Sequence, residues 1–73
     1  MNNVEKILKH MFHSRYVFFR PRTIAHRIHL EEKCVAEILE SMEKIGVVKK
    51  TSIGNSTRYF LTSASSWILR NLT

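Results

Sequence analysis

The sequence predicts one small α+β domain, mainly α: three short amphipathic helices, then a β-hairpin and a closing helix. Three observations predict it. Val4, Ile7, Leu8, Met11 and Phe12 follow an i, i+3, i+4, i+7, i+8 spacing. Ile24, Ala25 and Ile28 form a second stripe at helical spacing, and after a break at His29-Leu30 a third runs through Val35, Ile38, Leu39, Met42 and Ile45. Two β-prone runs then flank Gly54-Asn55, a hairpin turn signal.

Helix one is expected over residues 3–13, with Asn2 or Asn3 as its N-cap and Lys6, Lys9, His10 and His13 on its polar face. The aromatic run Tyr16-Val17-Phe18-Phe19 is β-prone, is closed by Arg20-Pro21, and reads as a short strand. Pro21 suits the first turn of helix two, about Arg22 to Ile28, because its missing N–H has no helical partner there anyway. His29 stands where a turn between helices favours glycine, and it tolerates a left-handed backbone better than most residues do. Helix three begins after Leu30, with Glu31 and Glu32 at the positive end of its dipole, and stops at Gly46. The small Ala25 lets helices two and three approach closely, which is a helix-turn-helix pattern.

Val47 to Ser52 and Thr57 to Thr62 make the hairpin. Pairing Ile53 with Ser56 sets Val48 and Lys50 opposite Leu61 and Tyr59 on one face, and Lys49 and Thr51 opposite Phe60 and Arg58 on the other. The first face is expected to carry the core. Ser63 can cap a last helix, Ala64 to Leu72, whose Trp67, Ile68, Leu69 and Leu72 are too apolar for a free surface.

Seventy-three residues bound the chain to a single domain over 1–73 with one small core, too few to enclose a deep substrate pocket. One cysteine excludes an internal disulfide. No apolar run reaches the roughly 18 residues of a membrane span, and the N-terminus does not read as a signal peptide, so a cytoplasmic, membrane-free location is expected. With no aspartate, no nucleophile motif and no glycine-rich phosphate loop, the chain is not expected to be an enzyme. His10, His13, His26, His29 and Cys34 have no spacing that brings three ligands to one point, so neither a metal nor a cofactor is expected.

Twelve Lys and Arg against six Asp and Glu give a net charge of +6. Between residues 31 and 44, five glutamates face two lysines, or −3; elsewhere ten basic residues face Glu5, or +9. Such a basic excess favours a polyanionic partner, nucleic acid first.

The order helix, short strand, helix, turn, helix, hairpin over residues 3–62 resembles the winged helix-turn-helix domain of bacterial and archaeal transcription regulators. The most specific part is residues 34–48, CVAEILESMEKIGVV, which looks like a recognition helix, its glycine stop and a first wing strand. The resemblance implies binding of double-stranded DNA, with helix three in the major groove, the wing on the backbone or minor groove, and commonly a homodimer built from terminal helices, the C-terminal helix of residues 63–73 being one candidate element. Mapped onto this chain, base-reading positions are Glu32, Lys33, Ala36 and Glu37, of which the glutamates depart from the usual polar or basic residues. Candidate DNA contacts are Arg20, Arg22, Arg27, Lys33, Glu37, Lys49, Lys50, Asn55 and Arg58. Candidate dimer contacts are Val4, Leu8, Trp67, Ile68 and Leu72. The alternative is a winged-helix module that docks its acidic helix, residues 31–44, onto a basic protein partner.

Overall fold

The structure is a computed structural model and describes residues 2–65 and 70. Three helices, α1 (Asn3–His13), α2 (Pro21–Ile28) and α3 (Glu32–Lys44), precede two strands, β1 (Val48–Ile53) and β2 (Ser56–Leu61). A further helical turn occupies residues 63–65; Trp67, Ile68, Leu69 and Leu72 lie outside the described residues.

Each helix end has a local cause. The Asn2 side chain accepts from the Glu5 backbone N–H at 2.8 Å, satisfying one orphan donor of α1. Pro21 occupies the first turn of α2. At the other end of α2, His29 adopts φ 59 and ψ 45, the left-handed conformation, and Leu30 N–H closes on the Ala25 carbonyl at 3.0 Å. Gly46, at φ 82, turns the chain out of α3, and Val47 N–H returns to the Met42 carbonyl at 3.0 Å. No atom lies within 4 Å of a Cβ built at Gly46, so glycine is required there by its φ and not by crowding.

The hairpin has the expected register, with Val48 opposite Leu61, Lys50 opposite Tyr59 and Ile53 opposite Ser56. Of the two central turn residues only Gly54 has positive φ, at 63, which fits a II′ and not a I′ turn. Thr62 ties the far end of the hairpin to the exit of α3. Its N–H donates to the Val47 carbonyl at 3.1 Å, and its hydroxyl lies 2.6 Å from the Gly46 carbonyl and 2.9 Å from that of Val47.

The short strand expected at Tyr16–Phe19 contracts to a single bridge. Phe19 exchanges backbone hydrogen bonds with Tyr59 at 2.9 and 2.8 Å and is buried, whereas Tyr16, Val17 and Phe18 are exposed. The run has β propensity but only one of its residues meets both a pairing strand and the core, so propensity alone does not extend it.

One core joins all elements. Ile7, Leu8 and Met11 come from α1, Ile24 and Ala25 from α2, Val35, Leu39 and Met42 from α3, and Val47, Val48 and Tyr59 from the hairpin region. α3 packs on both α2 and β1, which makes it the central element.

Candidate nucleic-acid interface

The buried residues of α3, Val35, Leu39 and Met42, fix which of its side chains face outward. A helix turns about 100° per residue, so Lys33, Glu37, Glu40 and Lys44, at i, i+4, i+7 and i+11, line the opposite side. All four are exposed. The outer stripe therefore balances two lysines against two glutamates and is not acidic, although the helix as a whole is.

The glutamates of α3 differ in what lies beside them. Glu40 and Glu43 lie toward the hairpin, where they and burial together push the Tyr59 hydroxyl up from its ordinary value, burial being the larger cause. Lys50, opposite Tyr59, stands on that same face of the hairpin. Glu37 borders an apolar recess of about 450 Å³ with Val4, Ile38, Met42 and Ile45, on the flank that α3 shares with the start of α1. On that flank Asn3 Nδ2 lies 3.8 Å from Cys34 Sγ.

The basic candidates fall into two groups. Arg20 and Arg22 stand at the N-terminal end of α2, and Lys49, Lys50 and Asn55 are exposed on the hairpin. Successive strand residues alternate faces, so Lys49 shares the outer face with Arg58 and Phe60 while Lys50 shares the α3 side. Among the described residues only β2 pairs with β1, so the two lysines also guard the other edge of β1.

Arg27 and Arg58 belong elsewhere. Together with Arg20 they line a recess of about 280 Å³ against Tyr16, Phe19 and Thr23. Arg58 is half-buried and its Nε has no hydrogen-bond partner. Arg27 also borders a second recess of about 500 Å³ with His10, His13, Ser14, Arg15 and Tyr16. Burial first, and the Arg27 charge second, hold His10 below the ordinary histidine value. Arg20, Arg27 and Arg58, all candidate DNA contacts in the sequence, thus share one recess, while Arg15 and Tyr16, absent from those candidates, line the other. The signal available was the His10-x2-His13 spacing, which puts both rings on one side of α1.

Of the dimer candidates on α1, Leu8 is 1% exposed and committed to the core of its own chain, so it has no surface to offer a partner. Val4 is 40% exposed. Trp67, Ile68 and Leu72 fall outside the described residues. Among the described residues no three of His, Cys, Asp and Glu come together as a metal site, and no helix is long and apolar enough to cross a membrane.

No family model and no curated protein matches the chain. Solved structures do. TubR bound to 24 bp of tubC, from Bacillus thuringiensis serovar israelensis, is 18% identical at a TM-score of 0.82, over 94% of this chain and 76% of that one. The PcaV transcriptional regulator of Streptomyces coelicolor, in complex with its natural ligand, is 17% identical at a TM-score of 0.84, over 99% of this chain and 52% of that one. A MarR family protein of Bacillus stearothermophilus is 12% identical at a TM-score of 0.83, over 99% and 50%. The present chain thus spans about half the length of the latter two. With α1, α2, the left-handed turn at His29, α3 and the hairpin in this order, and with these likenesses across nearly all of the chain, the protein has the winged helix-turn-helix fold.

Proposed function

We propose that the protein binds double-stranded DNA and acts as a small transcription regulator, with Arg20, Arg22, Lys33, Lys49 and Lys50 on phosphates and α3 over the major groove. The observation that carries this reading is the joint exposure of those five cations on the start of α2, the outer stripe of α3 and the hairpin of a winged-helix fold. A protein of similar fold is bound to 24 bp of tubC. The balanced outer stripe of α3 supports the reading too, because Lys33 and Lys44 flank the glutamates that would otherwise repel phosphates. Such a role places the protein inside the cell and requires neither catalysis nor a cofactor.

The test is titration of a random-sequence duplex. Lys49→Ala combined with Lys50→Ala should weaken binding roughly tenfold and about equally for all sequences, since phosphate contacts carry no base information. Unchanged affinity in the double variant removes the wing from the interface. No binding of wild type to any duplex at low salt leaves the other class of function, in which helix 31–44 docks onto a basic protein.

The protein works as a homodimer in this proposal. Val4 and Ile45, the latter 72% exposed, border an apolar recess, and the tail contributes Trp67, Ile68 and Leu72 in sequence. A 73-residue core covers only part of so much apolar surface. Sedimentation at micromolar concentration should show a dimer that Trp67→Ala weakens at least about tenfold, as removal of an aromatic anchor commonly does. A monomeric wild type sinks the dimer.

A further inference from the structure

The two basic recesses adjoin. Tyr16 and Arg27 line both, so together they make a basic groove from the C-terminal end of α1, past the α1–α2 loop, to Arg20 and Arg58. Among the described residues its charged or chargeable lining groups, apart from the Tyr16 phenol, are four arginines and two histidines, with no carboxylate. Around them stand the hydroxyls of Ser14 and Thr23, and Ser14 Oγ already accepts from the Tyr16 N–H at 3.2 Å, which leaves its own hydrogen free to donate. Each arginine carries five N–H donors and no acceptor, and the buried Arg58 Nε has no partner. A wall so rich in donors and so poor in acceptors is matched by a ligand of the opposite kind. The 500 Å³ section alone falls in the size range of small-molecule sites.

We propose that this groove binds a small molecule carrying two or more phosphoryl groups, one held by His10, His13, Arg15 and Arg27 and the next by Arg20 and Arg58. A single phosphoryl group has three terminal oxygens and cannot occupy six basic residues spread over two recesses, whereas a diphosphate has a group for each end. The arginines provide planar forks that take phosphoryl oxygens bidentately. Neither Lys49 nor Lys50 lines the groove, which meets the hairpin only through Arg58 and the proposed DNA side only through Arg20. Burial first, and the Arg27 charge second, lower the affinity of His10 for its proton, and an anion entering the groove offsets the Arg27 part.

The probe is inorganic pyrophosphate, followed through the imidazole C–H signals of His10 and His13 at constant ionic strength. Saturable shifts are expected, with half-saturation near 1 mM or below, and weaker binding of inorganic orthophosphate. Arg27→Gln should raise the half-saturation point at least about tenfold, and Arg15→Gln should do likewise; both side chains are exposed, so neither change disturbs the core. Lys44→Gln, on the far end of α3, should leave the titration unchanged. Shifts that stay linear to about 20 mM, or that fall as much in Lys44→Gln as in Arg27→Gln, overturn the site. So does a duplex-binding salt slope that flattens by about one contact in Arg27→Gln, since the groove then belongs to the DNA footprint. The pyrophosphate titration contains no DNA, so its outcome is independent of the duplex-binding proposal.

Discussion

Leu39→Ala is expected to lower the free energy of unfolding by about 3 kcal/mol. Leu39 is fully buried on the helix that packs against both α2 and β1. Removing its isopropyl group opens a cavity in the core that α2, α3 and β1 share, and none of them can move to fill it without losing other contacts. Stability of about 0.05–0.15 kcal/mol per residue gives a domain of this length roughly 4 to 11 kcal/mol in total. The variant thus loses a large share of its reserve, and its melting temperature should drop by about 12 to 24 °C at 4–8 °C per kcal/mol. Ile45→Ala serves as the reference, since Ile45 is 72% exposed and its truncation should stay within about 0.5 kcal/mol. Equal melting shifts for the two variants would contradict the packing of α3 described above.

Much of the fold is written locally. The hairpin register follows from one turn, because Gly54 alone can take positive φ cheaply and the period of two then assigns every partner down to Val48 and Leu61. His29 in the left-handed region is legible for a similar reason, since apolar spacing breaks there and a chain joining two packed helices must reverse. The extent of the strand at Tyr16–Phe19 is not legible, because pairing depends on how near β2 passes and only Phe19 reaches it.

The candidate site divides along the same line. Cations adjacent in sequence to a known element, Arg22 on α2 or Lys49 on the wing, stand where the spacing puts them. The basic groove is a tertiary product, since its residues come from α1, the following loop, α2 and β2, and no pattern in one segment announces their convergence. Leu8 failed as a dimer residue for the converse reason. A helical stripe shows which residues are apolar but not how wide a face the core consumes, and here the core takes Ile7, Leu8 and Met11 while leaving Val4 and Phe12 outside.

Duplex affinity should fall by about 10²- to 10³-fold between 50 and 200 mM monovalent salt, with a log–log slope near −4 to −5. Each phosphate neutralised releases condensed counterion, so the slope counts contacts at about −0.9 apiece. The exposed cations placed on the DNA side are Arg20, Arg22, Lys33, Lys49 and Lys50, which account for a slope of that size without Arg27 or Arg58. Lys49→Ala with Lys50→Ala should therefore flatten it by about 2, leaving near −2 to −3. The glutamates on α3 add a second, opposite lever. Glu37 and Glu40 share the outer stripe with Lys33 and Lys44, so Glu37→Gln removes a negative charge facing phosphates and should raise affinity for random duplex while leaving the slope nearly unchanged. A wild-type slope shallower than −2 would mean that fewer than three cations reach phosphates, and the wing and the start of α2 could not then both be engaged.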